Sequence, residues 1–182
     1  MTPGERFFRA IGKGDEPTAM ELLRAHPELA GETGAVSLPI HNCQAPALVM
    51  AAELGLDTMA AALLDAGAAV EVRGFLGGMA MHWAAWYGHS GIVERMLKAG
   101  SPLEAHDTEF HCTPLFWAAH GFSYRSPAFR RDQLGAARLL LQAGARTDVH
   151  NREGTPVLSI LEDPADAPMK SLIEEAANGG RR

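Results

Sequence analysis

Four of the chain's eight histidines, His106, His111, His120 and His150, lie within 45 residues of one another, together with Cys112, Glu104, Asp107 and Asp148. Imidazole, thiolate and carboxylate are the side chains that hold zinc or nickel. A zinc site of this kind uses paired ligands such as C-x2-C with H-x3-H, and no such pair occurs here. Adjacent His111 and Cys112 would also point to opposite sides of an extended chain. A small-molecule or metal-binding protein built on 106–120 and 150 therefore stands as the alternative reading, with no cofactor and no metal ligand assigned. Two further motifs fail on inspection. Gly88-His89-Ser90-Gly91 starts like a nucleophile elbow, but Ile92 occupies the last glycine position and no strand precedes it. Gly12-Lys13-Gly14 lacks the remaining glycines and the Ser or Thr of a phosphate loop. With no nucleophile, base and oxyanion donor in sight, the chain reads as non-enzymatic.

The elements that carry these residues repeat. AALLDAGAAVEVRGF at 61–75 and RLLLQAGARTDVHNREG at 138–154 have the same pattern, each after an apolar run with two adjacent alanines. Pro46, Met79 and Thr113 are equivalent starts, 33 and 34 residues apart. Thr155 follows 42 residues later, one period plus an insertion of about nine. Each unit offers a short apolar helix such as 47–54, a break at Gly55, a second helix with Met59, Ala62 and Leu63 on one face, and a stop at Gly67. Such short helices are unstable alone in water and must stack to bury a common core. Thr113-Pro114 and Thr155-Pro156 suit helix starts, Ser90 suits a helix cap, and Gly67, Gly100 and Gly144 suit left-handed helix ends.

The residues at the starts carry a family resemblance. Thr113-Pro114-Leu115-Phe116-Trp117-Ala118-Ala119 and Met79-Ala80-Met81-His82-Trp83-Ala84-Ala85 resemble the T-P-L-H-x-A signature of ankyrin repeats, as do the Ala-Gly turns at 66–68, 99–101 and 143–145. The match covers about 46–160, and 5–30 resembles a degenerate first repeat. The resemblance implies an all-α solenoid of stacked helix-turn-helix units with short β-hairpin-like fingers. Its implied units are a capping repeat at 5–45, central repeats at 46–78, 79–112 and 113–154 with an insertion at about 122–134, a capping repeat at 155–177 and a tail at 178–182. It also implies that His82 hydrogen-bonds to neighbouring backbone, while Val49, Phe116 and Leu158 replace it in the other units. Trp83 and Trp117 fall at core positions, their indole N–H groups needing acceptors such as nearby carbonyls.

Composition and charge limit the function classes. The chain is 47% hydrophobic and 21% charged, ordinary for a globular domain. No run of 18 apolar residues suggests a membrane span, and MTPGERFFRAIGKGDE has no apolar signal region. Cys43 and Cys112 sit in different units and read as reduced thiols of a cytoplasmic protein. The net charge of −6 disfavours nucleic acid. The local basic run lies in the insertion, where Arg125, Arg130 and Arg131 accompany Phe122, Tyr124 and Phe129. Basic and aromatic residues together suit an anionic partner or single-stranded nucleic acid; the plainer reading is that the aromatics fold the loop back onto its own repeat while the arginines stay solvated.

In the ankyrin frame, finger tips and inner helices face a partner. That surface comprises Glu53 and Leu54, then Arg73, Phe75 and Leu76, then Trp86 and Tyr87, then His106, Thr108, Glu109 and Phe110, with His120, His150 and Arg152 completing it. Trp, Tyr and Arg together have the composition of an interface hot spot. Glu71, Glu104 and Asp148 stand where the family has asparagine, a column of carboxylates that suits a partner with a basic surface unless Arg73 and His106 relieve it. The chain is thus expected to be a monomeric protein-binding module, with a homodimer through the aromatic patch as the competing assembly.

Overall fold

A computed structural model describes residues 1–37, 42–124 and 132–179. The helices come in pairs, and from the second pair onward an apolar inner helix is followed by a more amphipathic one, whereas the first helix of the chain carries Glu5, Arg6 and Arg9 on its exposed side. The pairs are α1 (Pro3–Gly12) with α2 (Glu16–Ala25), α3 (Ala47–Leu54) with α4 (Asp57–Asp65), α5 (Ala80–Tyr87) with α6 (Ser90–Lys98), and α7 (Pro114–Ser123) with α8 (Gln133–Gln142). The final helix is α9 (Ala167–Gly179). Packing follows chain order: α1 touches α3, α3 touches α5 and α5 touches α7, while α2, α4, α6 and α8 form the parallel series, and α9 closes on α8. The core runs through this series, from Phe7 and Ile11 through Leu48, Met50, Met81, Trp83 and Leu115 to Met169 and Ile173.

Small residues set the helix spacing. Ala51, Ala52, Ala84, Ala85, Ala118 and Ala119 are fully buried between successive inner helices. Gly121 marks the closest approach, where a methyl group would collide with the Trp86 carbonyl oxygen of α5. Gly67, Gly100 and Gly144 have φ of 89°, 77° and 97°, the left-handed conformation that ends the outer helices.

Caps follow the sequence at some positions and depart from it at others. The Thr113 hydroxyl accepts the Phe116 N–H at 3.4 Å, closing the start of α7. Ser90 is the first residue of α6 instead of its cap; His89 occupies that position. Thr155-Pro156 does not start an α-helix. Pro156 is held in a β-bridge to His150, and Val157 N–H donates to Val149 O at 2.9 Å, so a 3-10 turn at Val157–Ile160 replaces it. The antiparallel hairpin of β1 (Thr33–Ser37) and β2 (Asn42–Pro46), in register Thr33↔Pro46, is a further departure. Gly34 belongs to it for a steric reason, since a side chain there would overlap the ring of Phe8. Arg125, Phe129, Arg130 and Arg131 of the insertion, the thiol of Cys43 and tail residues 180–182 lie outside the described residues.

Candidate functional site

Three loops and two inner helices converge on one apolar pocket. Leu76 comes from the loop between α4 and α5, Phe110 and Cys112 from the loop between α6 and α7, and Asn151 from the loop after α8. Trp83 and Trp86 of α5 and Phe116, Trp117 and His120 of α7 form the floor and the remaining wall of a cavity of about 280 Å³. Helical spacing explains the wall: 83 and 86, and 116, 117 and 120, lie one turn apart on facing surfaces. The aromatic rings meet edge to face, Trp83 on Trp117 at 4.9 Å between centroids and Trp86 on His120 at 4.9 Å. Tyr124, just after α7, lies 5.8 Å from Trp86 and is 51% exposed. Phe75 and Phe110 are 38% and 49% exposed, so large apolar side chains face solvent beside the pocket.

A buried carboxylate holds the middle loop. Asp107, 2% exposed, accepts the Glu109 N–H at 2.9 Å, the Phe110 N–H at 2.5 Å, the Cys112 N–H at 3.0 Å and the Trp117 indole N–H at 2.8 Å. The indole acceptor is therefore a carboxylate, where sequence reasoning looks to a carbonyl. Asp107 fixes both Phe110 and Trp117, two walls of the pocket. Its only sequence signal is the Asp-x-x-Phe spacing in a loop, which suits side-chain to backbone turns. Desolvation raises the Cys112 thiol beside it to about 12, leaving an unreactive apolar wall.

Arg73 and Arg152 brace neighbouring loops. Arg73 donates to Gly77 O at 2.7 Å and to His106 O at 2.8 Å, and Arg152 donates through its guanidinium to Thr108 O and through its backbone N–H to Phe110 O at 2.7 Å. Leu76, at φ 57°, accepts the N–H groups of Thr108 and Glu109 at 3.3 Å each. The fingers are thus stitched to one another through carbonyls.

His82, fully buried, links a helix to the same loop. Its Nδ1 accepts the Met79 N–H at 3.2 Å, so Nε2 carries the proton and donates to Ala105 O at 3.0 Å and Cys112 O at 3.2 Å. Desolvation holds the imidazole down at about 4, with the Asp107 charge and the two carbonyls opposing that shift.

Not every predicted contact residue faces outward. Glu53 and Tyr87 are 2% and 4% exposed, because both lie on the α3–α5 packing side, with the Tyr87 hydroxyl 3.5 Å from Glu53 Oε1. They are not surface contacts. Burial raises the Glu53 carboxyl to about 8. Leu54 is half-buried at the end of α3 and does not line the pocket. Leu76, Trp86, Phe110 and His120 do line it. Arg73, Phe75, His106, Thr108, Glu109, His150 and Arg152 are exposed on the loops around it.

The four histidines of 106–150 do not gather into a metal centre. The His106 and His111 rings stack at 4.1 Å, and desolvation, followed by the nearby His111, lowers the affinity of His106 for a proton. Among the described residues, no three His, Cys, Asp or Glu side chains come together to hold an ion. The acidic column is also taken up differently from the sequence expectation. Glu104 Oε1 accepts the Arg146 backbone N–H at 2.8 Å and Asp148 pairs with the Arg146 guanidinium at 2.8 Å, so Arg146, and not Arg73, engages these two members of the column.

Residues 77–108, which supply α5, α6 and much of the middle loop, match the family model of the ankyrin repeat. The chain carries an ankyrin repeat there. It is 28% identical over 181 residues to the E3 ubiquitin-protein ligase XBAT33 of Arabidopsis thaliana, an alignment covering 97% of this chain and 34% of that protein. Over 80 residues it is 32% identical to the palmitoyltransferase Hip14 of Drosophila melanogaster, covering 44% of this chain and 11% of that protein. It therefore spans about a third or less of each relative's length. Within the ankyrin repeat at 77–108, His82 ties the finger to its own helix α5, Asp107 ties it to Trp117 of the following helix α7, and Trp86 and Leu76 open onto the pocket. Among the described residues no helix is long and apolar enough to cross a membrane.

Proposed function

We propose that the chain is a non-enzymatic ankyrin-repeat solenoid that binds a partner protein through the face formed by the finger loops and the inner helices α5 and α7. Its units are a cap at 5–45, repeats at 46–78, 79–112 and 113–154, and a closing cap at 155–177. The observation that carries the reading is the apolar pocket rimmed by exposed Phe75, Phe110 and Tyr124. Large aromatic groups kept in water beside a preformed pocket are costly unless a partner covers them. Ankyrin repeats are generally protein-interaction modules, which agrees with this use. The contact set on this reading is Arg73, Phe75, Leu76, Trp86, His106, Thr108, Glu109, Phe110, His120, His150 and Arg152, with Tyr124 added.

The test compares the wild type with a Phe110→Ala, Tyr124→Ala variant of equal helical content in affinity capture from lysate, followed by measurement of binding to the purified captured protein. Binding that weakens at least tenfold in the variant supports the face. Equal binding by both proteins refutes it.

A further inference from the structure

The pocket and the charges around it define what fits. The lining is almost wholly apolar and includes no lysine, arginine or carboxylate; its one titratable imidazole, His120, is held towards the neutral form by burial against Trp86. On the loops beside it the two signs of charge are treated differently. The guanidinium groups of Arg73 and Arg152 are bound to backbone carbonyls. Glu109, next to Phe110, and Glu153, two residues beyond Asn151, are exposed, and only their backbone N–H groups are engaged, with Asp107, Leu76 and Asn151. Among the described residues neither carboxylate forms an ion pair. The chain's net charge of −6 adds a long-range field of the same sign.

We infer that the pocket receives one large apolar side chain of a partner peptide whose flanking residues are lysine or arginine, the cations meeting Glu109 and Glu153. This rests on the protein-binding reading above and specifies the partner's chemistry. The apolar anchor supplies affinity by leaving water for the Trp83, Trp86 and Trp117 pocket, while the flanking charges set orientation and speed of encounter. A partner with acidic flanks would bring like charges together at the rim.

The experiment uses the full chain and four synthetic heptapeptides ending in glycine: phenylalanine between paired lysines, alanine between paired lysines, phenylalanine between paired glutamates, and phenylalanine between paired serines. Binding is followed by the shifts of the Trp86 and Trp117 indole N–H resonances. The lysine-flanked phenylalanine peptide is expected to bind tightest. Glu109→Gln with Glu153→Gln, both at exposed positions, should weaken it about two- to tenfold at low salt and leave the serine-flanked peptide unchanged. Equal binding of the alanine peptide overturns the anchor, and equal or tighter binding of the glutamate-flanked peptide overturns the charge assignment. If no peptide binds while captured protein still depends on Phe110, this inference falls and the protein-binding reading stands. If capture is also indifferent to Phe110 and Tyr124, both fall.

Discussion

Replacing Glu53 with glutamine should stabilise the protein at neutral pH and leave it unchanged in acid. Glu53 is 2% exposed, and desolvation, opposed by the Tyr87 hydroxyl, moves its carboxyl from 4.5 to about 8. The folded state therefore keeps the proton over a range in which the unfolded chain has released it. The carboxyl costs nothing below pH 4.5, where both states are protonated. As pH rises from 4.5 towards 8 the unfolded state is favoured by about 1.4 kcal/mol per pH unit, and the loss levels off above the folded value. At pH 7 the accumulated cost is about 3 kcal/mol. Glutamine keeps the shape and an acceptor for Tyr87 but cannot ionise. Urea unfolding of wild type and Glu53→Gln at pH 4, 7 and 9 should give midpoints that coincide at pH 4 and separate progressively at 7 and 9, with the variant more stable. All other titrating groups are common to both proteins, so the difference isolates this carboxyl. Parallel curves, offset equally at every pH, would refute the reasoning.

Three other perturbations probe the remaining framework. His82 should stay neutral well below pH 6 by NMR titration; because its folded value of about 4 lies below 6.5, its contribution to stability is complete above pH 6.5 and is lost as pH falls through 4, and a titration near 6.5 would contradict its burial. Asp107→Ala leaves the buried Cys112 N–H and Trp117 indole N–H without their acceptor, at about 2–5 kcal/mol of stability in urea unfolding, and should speed amide exchange at Phe110. Gly121→Ala drives a methyl group against the Trp86 carbonyl and should cost at least about 2 kcal/mol; an unchanged midpoint would show that α5 and α7 can part without loss.

Period and residue type alone make the repeat visible. The 33- and 34-residue spacing, the alanine pairs at 51–52, 84–85 and 118–119 and the Gly stops are local signals, and helices α3 to α8 follow them. The hairpin at 33–46 was not legible, because its pairing depends on Phe8 packing over Gly34, a contact between residues far apart in the chain. The turn at Val157–Ile160 departs from its local signal for a similar reason. Thr-Pro is a good helix start, but the bridge from Pro156 to His150 overrides it.

The candidate site divides along the same line. That Trp86, Phe110 and His120 belong to surfaces that the fold turns toward one another follows from their places in the repeat, which the sequence determines by itself. Which side of α5 is buried does not, since an inner helix is apolar all round. Tertiary packing alone put Tyr87 and Glu53 between α3 and α5 while leaving Trp86 open to the pocket. The sequence likewise carries the ionisable residues but not their pairings. Arg146 is bound to Asp148, the arginines at 73 and 152 to carbonyls, and Asp107 to Trp117 because distance and desolvation in the folded chain select among partners that a linear reading leaves equivalent.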